Sequence, residues 1–274
     1  MSSFSELSGS RELLSNLTLR ELRGKYKRSI LGWSWSLLNP LATMLVFTIV
    51  FRFFLKVTVP PGSPSGLQSF ALALLIGLLP WNYLSNSING SMSSLIGNSN
   101  LIKKVYFPRE VLVVANVASW AVSMVIEVAV LAIALLIAGN FIVPWLVPVL
   151  VLMAIQSVFV VGVGLGLAVL NVYFRDVQHL IGILLQVWFY ATPIVYPISV
   201  VPRHAGLFGW DLPIRTLYGL NPMVRFVEAY RDCLYDLRFP PLADIAYLIV
   251  ISGVTLVAGA LLFARLEPKL AEEL

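Results

Sequence analysis

The sequence predicts an all-α integral membrane protein with six membrane-spanning helices. Of its 274 residues, 58% are hydrophobic and only 12% are charged, and the mean hydropathy is +0.86. Soluble domains are about half apolar and about a quarter charged, so this composition favours a membrane protein. The apolar residues also fall into six runs, each long enough to cross a hydrocarbon core of about 30 Å.

The chain divides into an N-terminal segment (residues 1–36), a transmembrane domain (37–264) and a C-terminal tail (265–274). In the first segment, Ser10 is placed to cap a helix that begins at Arg11. This helix is amphipathic, with leucines in its first half and basic residues in its second: Leu13, Leu14, Leu17, then Arg20, Arg23, Lys25, Lys27 and Arg28. We predict that it lies at the membrane interface. No cleavable signal peptide is expected, because the first apolar run begins only near Leu37.

The six predicted spans cover residues 37–57, 68–92, 111–138, 142–170, 178–200 and 243–264. The second contains Pro80, and the fifth contains Pro193 and Pro197. A proline within a spanning helix frees backbone carbonyls that protein or water must satisfy. We therefore expect these two helices to kink where they face protein or a pore.

The distribution of lysine and arginine predicts that both termini are cytoplasmic. With the N-terminus inside, the two short outer loops, 58–67 and 139–141, hold neither residue type. The cytoplasmic segments then hold twelve of them: Arg11, Arg20, Arg23, Lys25, Lys27, Arg28, Lys103, Lys104, Arg109, Arg175, Arg265 and Lys269. Such a bias over short loops sets the orientation of a membrane protein, here a multi-pass protein of the cytoplasmic membrane.

The long outer loop before the last span contains a predicted helix. Asn221 can cap this helix and Pro222 can begin it. An apolar stripe follows at helical spacing, made of Met223, Val227, Tyr230 and Leu234. On the other side, Arg225, Glu228 and Arg231 are spaced to form ion pairs. We expect this helix to lie on the outer leaflet or to dip into it.

Several enzyme classes are disfavoured by the motifs that the sequence lacks. No Gly-x-x-x-x-Gly-Lys-Ser/Thr motif is present, so ATP binding through a P-loop is not expected. His179, His204 and Cys233 lack the spacing of metal ligands, and no paired carboxylates or nucleophile elbow occur. Gly162-x-x-x-Gly166 is typical of close helix packing. We predict no catalytic residue and no metal site, and that the chain is not an enzyme by itself.

Ionisable residues in the third and first predicted spans are candidates for a functional role. Glu127 is near the middle of the third span, where it either faces a transport path or bonds a polar neighbour. The packing role is favoured because the sequence offers it no buried basic partner. Arg52 and Lys56, at the outer end of the first span, are expected to snorkel to the surface, although Arg52 could line a pore.

Two apolar stretches need a covering surface or a ligand. Four aromatic residues cluster in the fifth span near Gln186 and Thr192: Trp188, Phe189, Tyr190 and Tyr196. They fit either an aromatic belt at the membrane interface or a surface on which sugar rings stack, and the residues alone leave both open. The short cytoplasmic loop 97–108 is also too apolar to be bare, so we expect the bilayer or a partner protein to cover it.

Five segments of the sequence resemble ABC-2 type permeases. They are RGKYKRSILGWSWSLLNP (23–40), LIKKVYFPRE (101–110), LNVYFRD (170–176), TPIVY (192–196) and LNP (220–222). The last three resemble the polysaccharide-export branch, which includes exporters of O-antigen, teichoic acid, capsule and galactan. The likeness covers nearly the whole chain in order, with matching numbers of spans and loop lengths.

The resemblance implies a homodimeric permease that works with two copies of a separate ATPase subunit, which binds ATP and Mg²⁺. The substrate it implies is a polysaccharide on a polyprenyl diphosphate. The basic residues 20–28 would lie at the cytoplasmic entrance for this substrate. The ATPase would dock on a coupling segment: Leu101, Ile102, Lys103, Lys104, Val105, Tyr106 and Phe107. The loop 203–238 would form re-entrant outer gate helices, which include Asn221, Pro222, Met223, Val227 and Tyr230.

The same resemblance places spans one and five along the channel, at the dimer interface. This favours a channel role for Trp188, Phe189, Tyr190 and Tyr196, with Arg52 as a further candidate. Three alternatives stay open. An ABC-2 exporter of drugs or lipids would keep the fold and change the cargo. An ion-driven secondary transporter would need paired intramembrane charges and internal repeats, and a structural membrane subunit would not need a proline-broken span.

Overall fold

The computed structural model describes residues 11–25, 32, 34–54, 56, 59–202, 204–207 and 210–274. The described helices are α1 (Arg11–Lys25), α2 (Ser34–Phe47), α3 (Phe70–Gly97), α4 (Ser99–Lys104), α5 (Glu110–Ile137), α6 (Leu146–Tyr173), α7 (Val177–Tyr190), α8 (Ile214–Leu220), α9 (Pro222–Arg231), α10 (Leu242–Leu266) and α11 (Leu270–Glu273). The π-helical segments Thr48–Phe54 and Asp232–Asp236 continue α2 and α9, and the 3₁₀ turns are Val143–Trp145, Ile198–Val200 and Glu267–Lys269.

A small β-hairpin in the described part of the chain departs from the predicted all-α fold. Strands β1 (Ala205–Leu207) and β2 (Trp210–Leu212) pair in antiparallel fashion, with Ala205 opposite Leu212. Pro202 and Pro213 flank the hairpin. Proline disfavours helical backbone at the residue before it, which explains why this segment is not helical.

Four of the described helices are long and apolar enough to cross a membrane: Phe70–Gly97, Glu110–Ile137, Val143–Tyr173 and Leu242–Lys269. They correspond to the second, third, fourth and sixth predicted spans. The other two predicted spans contain shorter apolar helices, Leu41–Phe54 and Val177–Tyr190. The prediction of a helical membrane protein is therefore confirmed, whereas the number of crossings stays a prediction for these two segments.

The predicted fifth span, 178–200, is wrong as a continuous helix. Helix α7 ends at Tyr190, and residues 191–196 turn before the short 3₁₀ segment. Fourteen residues of α-helix extend about 21 Å, which is less than the thickness of a hydrocarbon core. Pro193 and Pro197 explain the early end, because neither can donate to a helical hydrogen bond. We call residues 191–196 the helix break.

Helix α3 behaves differently at its own proline. It runs through Pro80 without interruption. Pro80 is buried, so this part of α3 faces protein as predicted, and the predicted kink stays a prediction. The Gln156 side-chain amide donates to the Pro80 carbonyl at 2.8 Å, and its oxygen accepts the Tyr230 hydroxyl at 3.0 Å. A single buried glutamine on α6 thus joins α3, α6 and α9.

Buried residues form two groups. The central cluster fills the space among α3, α5, α6, α7 and α9 and contains Leu84, Met92, Phe159 and Phe226. The α1 cluster lies at the other end of α3 and contains Leu17, Leu95, Ile102 and Phe263. Together they include residues of all four long apolar helices.

Helix α1 confirms the predicted N-terminal amphipathic helix but corrects its surroundings. Leu17 is buried in the α1 cluster, and Leu13 and Leu14 pack at its edge. The helix lies along α5. Its leucines therefore contact protein, where the sequence predicted a membrane surface. The predicted cap Ser10 lies outside the described residues.

The predicted close packing at Gly162-x-x-x-Gly166 is confirmed, and its partner is α10. A Cβ atom on Gly259 would collide with the carbonyl oxygen of Gly162. A Cβ on Gly166 would lie 3.6 Å from the Leu262 side chain, in ordinary contact. The contact between Gly162 and Gly259 thus determines how closely α6 and α10 approach.

Replacing Gly259 with alanine should lower the free energy of unfolding by about 1–3 kcal/mol, the usual cost of overpacking. Gly253→Ala on the same helix is the matched control, because nothing lies within 4 Å of its Cβ position. The control should be neutral or stabilising by up to about 1 kcal/mol, since alanine favours helix. Thermal unfolding in detergent measures both. Equal effects of the two variants would disprove the close contact.

Candidate functional site

An aromatic cluster joins the first, second and fifth predicted spans. Phe189 on α7 stacks on Phe47 of α2, with ring centroids 6.2 Å apart, and meets Trp81 of α3 at 5.5 Å. Trp81 also contacts Trp188 edge-on at 5.9 Å, and Phe189 contacts Tyr190 at 5.2 Å. We call these five residues the aromatic cluster. Tyr190 is its exposed member, with 61% of its surface accessible.

Trp188 is held by the segment that follows the helix break. Its indole N–H donates to the side-chain oxygen of Asn221 at 2.8 Å. The same oxygen accepts the Met223 backbone N–H at 3.0 Å, which confirms Asn221 as the cap of α9. The Asn221 amide donates to the Ala191 carbonyl and the Thr192 hydroxyl, both at 3.2 Å. One side chain therefore ties α7, the helix break and α9 together.

Arg231 holds the next two residues of the helix break. Its guanidinium donates to the carbonyls of Pro193 at 2.7 Å and Ile194 at 2.8 Å. It also pairs with Glu228 at 3.0 Å, which confirms one of the predicted three-apart ion pairs. Asn221 and Arg231, at the two ends of α9, together satisfy carbonyls that the broken helix leaves without helical partners.

The apolar stripe of the outer helix faces inward. Met223, Val227, Tyr230 and Leu234 are all buried in the central cluster. The stripe therefore contacts protein, and the position of the helix at or in the outer leaflet stays a prediction. Helix α9 packs on α3 and α6, and protein replaces lipid as the apolar surface. Hydrophobic periodicity identifies a buried face but does not distinguish the two apolar environments.

Arg225 also differs from its predicted pairing. It forms an ion pair with Asp244 at the start of α10, and its guanidinium lies 4.5 Å from the Tyr247 ring centroid. Its Nε donates to the Gly219 carbonyl at 2.7 Å. Arg225 thus joins α8, α9 and α10. Glu228 forms its ion pair with Arg231 and not with Arg225.

Asp232, directly after α9, carries a buried carboxyl group. Burial raises its pKa to about 6, and the Arg238 guanidinium, at 2.6 Å and 2.8 Å, partly opposes the shift. The carboxylate therefore takes up a proton between about pH 7 and pH 5.

The predicted coupling segment folds as α4 followed by an extended stretch. Ile102 is buried in the α1 cluster, and Leu101 and Phe107 pack against it. The remaining side chains point outward: Lys103, Lys104, Val105 and Tyr106. Tyr106 is fully exposed, and an open groove of about 490 Å³ lies beside it. The chain thus covers three of the five apolar side chains of this segment and leaves Val105 and Tyr106 uncovered.

The basic residues of α1 do not form one continuous surface. Arg20 is exposed and donates to Asn98 at 2.6 Å, and Arg23 is exposed. Lys25 instead lies 3.3 Å from the Trp120 ring centroid, with its Nζ 3.5 Å from the Ser123 hydroxyl. The predicted entrance residues Lys27 and Arg28 lie outside the described residues.

The position of Lys25 also provides Glu127 with a basic neighbour. The two groups are near enough to attract each other electrostatically. The premise that Glu127 lacks a basic neighbour is therefore wrong. Sequence periodicity could not find this partner, because it comes from α1 and reaches α5 only in the folded chain. Arg52 and Lys56 are both exposed at the end of the first predicted span, as expected for either reading of Arg52.

Sequence reasoning missed a polar stripe on α3. Asn82, Ser85, Asn86 and Asn89 recur at helical spacing in the middle of a long apolar helix, and none of them is buried. Their three- and four-residue spacing was visible in the sequence. Among the described residues, no group of three or more His, Cys, Asp or Glu side chains could hold a metal ion.

The four long apolar helices are typical of a polytopic membrane protein. Residues 12–235 match the model of the ABC-2 type transporter family, and the chain belongs to that family.

Three curated relatives extend this comparison over almost the full chain. The chain is 33% identical to the O-antigen export system permease protein RfbA of Myxococcus xanthus, over 98% of each chain. A protein of the same description from Klebsiella pneumoniae is 27% identical, over 95% of this chain and 94% of that one. The polysialic acid transport protein KpsM of Escherichia coli is 23% identical, over 92% of each.

Arg231→Lys should destabilise the fold by about 1–3 kcal/mol, because lysine keeps the charge but cannot donate to both carbonyls of the helix break. Arg215→Lys is the control, since the Arg215 side chain makes no hydrogen bond to a described residue. Thermal unfolding in detergent gives the two values. An Arg231→Lys variant as stable as the control would show that the hydrogen bonds from Arg231 to the helix break contribute nothing to stability.

Proposed function

We propose that this chain is the membrane permease subunit of an ABC transporter that exports a lipid-linked polysaccharide, such as an O-antigen, across the cytoplasmic membrane. The full-length similarity to the O-antigen permease of Myxococcus xanthus carries this proposal. A separate ATPase subunit would bind ATP and Mg²⁺ and supply the energy, since the sequence has no P-loop motif. Both termini would be cytoplasmic, in accord with the lysine and arginine bias.

The working unit would be a homodimer with the channel between the two copies. The short helices α2 and α7 support this arrangement, because both expose large apolar side chains that a second copy could partly cover: Leu41, Leu45, Ile49, Leu180, Leu184 and Val187. The aromatic cluster lies between these two helices. Phe189 and Tyr190 would offer ring faces to the glycan, and Tyr196 and Arg52 would line the outer part of the channel.

The structure favours a different role for Trp188 within this channel. Its indole N–H donates to Asn221. Trp188 would therefore hold the channel wall in position and would not bind the glycan itself. Helices α8 and α9 would form the outer gate, held through Asn221 and Arg231. Arg20 and Arg23 would attract the diphosphate at the cytoplasmic entrance, together with Lys25, Lys27 and Arg28. Closure of the ATPase dimer would move the coupling segment and widen the channel.

Depleting the protein in its own cells should cause a long polyprenyl-linked polysaccharide to accumulate on the cytoplasmic side of the membrane. Extraction and mass analysis of lipid-linked glycans measure the result, and re-expression of the chain should reverse it. If no such lipid accumulates and sensitivity to small amphiphiles changes instead, the cargo is a drug or lipid and the proposal is wrong.

Tyr106→Ala should weaken binding of the ATPase subunit by roughly tenfold or more, as expected for an exposed aromatic anchor of an interface. Phe174→Ala is the control, because Phe174 is also exposed and lies in the other predicted cytoplasmic turn. Titration of the purified ATPase subunit onto each permease variant in detergent gives the affinities. Equal affinities would remove Tyr106 from the docking surface.

A further inference from the structure

The polar stripe of α3 has hydrogen-bonding capacity that the described protein does not use. The side chains of Asn82 and Asn86 and the Ser85 hydroxyl make no hydrogen bond to a described residue. Asn89 donates to the Ser85 carbonyl at 2.8 Å, which leaves its side-chain oxygen available. Asn82, Ser85 and Asn89 are partly exposed, and Asn86 is exposed.

Hydrocarbon is a poor environment for such a stripe. Ser85 and Asn86 are the sixteenth and seventeenth of the 28 residues of α3, so they lie near the middle of a spanning helix. An amide without a partner in lipid costs several kcal/mol, and polar groups within membranes accordingly face protein or a water-filled cavity. The stripe therefore requires a polar surface or a hydrated path in front of it.

A groove beside the stripe has the chemistry of a carbohydrate site. It measures about 300 Å³ and lies between α3 and α7, with Trp81, Ser85 and Asn89 on one wall and Gln186, Phe189 and Tyr190 on the other. Gln186 is exposed, and its amide makes no hydrogen bond to a described residue. Aromatic rings can contact the apolar faces of a sugar ring, while amides and hydroxyls bond its hydroxyl groups.

We infer that the polar stripe of α3 and Gln186 of α7 form a binding wall for uncharged sugar residues of the transported glycan. This inference rests on the proposed function and names the substrate class of its channel. No charged side chain lines the groove among the described residues. A polyanionic glycan would meet no Lys or Arg to offset its desolvation there, whereas neutral hydroxyls are matched by neutral amides.

Thiol labelling tests whether the stripe faces a hydrated path. Asn86→Cys should react in native membranes with a membrane-impermeant maleimide. Val125→Cys, at similar depth on the exposed face of α5, should not react. The natural Cys233 is buried and contributes no background. An unreactive Asn86→Cys would mean that lipid or a second copy of the chain covers the stripe, and would overturn the inference.

Transport tests the role in glycan binding. The Asn86→Leu/Asn89→Leu double variant should lower ATP-dependent export of a neutral glycan roughly fivefold or more, through the loss of several hydrogen bonds. The Asn86→Ser/Asn89→Ser variant should retain most of the export rate of the natural chain, because serine is also polar. The ATPase affinity of both variants should equal that of the natural chain.

The outcomes of the transport test separate two failures. If the natural chain exports no glycan in this assay, the proposed function fails. If the natural chain exports and the leucine variant exports equally well, only the binding wall fails. If serine and leucine reduce export to the same extent, the residues act through packing, and the inference is again wrong.

Discussion

The helix break after α7 imposes a requirement that the neighbouring structure meets. Backbone carbonyls exposed by a broken helix at membrane depth must be satisfied by protein or water. Here Asn221 and Arg231 supply the donors, one from each end of α9. Because these two residues also begin and end the same helix, α9 cannot leave the break without exposing those carbonyls. The helix break and α9 are therefore joined through these two residues.

Helix α3 connects the helix break and α9 to the opposite end of the molecule. Near its start, a Cβ on Gly77 would lie 3.3 Å from the Arg231 guanidinium and 3.4 Å from Ile194. Helix α3 therefore packs directly on the helix break and on the arginine that bonds it. Near its end, Leu95 is buried in the α1 cluster with Ile102 of the coupling segment. Between these contacts lies the polar stripe. Helix α3 thus contacts the predicted coupling segment near its end and the helix break near its start.

The sequence predicted those features that depend on local chemistry or on strong periodicity. The cap at Asn221, the helix beginning at Pro222, the close contact at Gly162 and the long apolar helices all belong to this group. Each is determined by a few neighbouring residues whose chemistry favours one local structure.

Features that depend on which surface a side chain meets in three dimensions could not be predicted. The stripe beginning at Met223 is apolar in either lipid or protein, and only the packing of α9 on α3 distinguishes the two. Lys25 meets Trp120 because α1 folds back along α5, a contact between distant parts of the chain. Pro193 and Pro197 interrupt the fifth predicted span, but the sequence could not show that Asn221 and Arg231 satisfy the carbonyls beyond the end of α7. In the polar stripe of α3 the pattern was present, but its meaning depended on knowing that this face is exposed.

The most direct test of the account follows a labelled lipid-linked glycan through the purified permease. The chain and its ATPase subunit would be reconstituted into vesicles with the ATPase outside, and a neutral lipid-linked polysaccharide would be added to that side. The account predicts that ATP makes the glycan resistant to an external glycosidase, and that a non-hydrolysable nucleotide does not. ATP hydrolysis with the glycan still fully cleaved would contradict it.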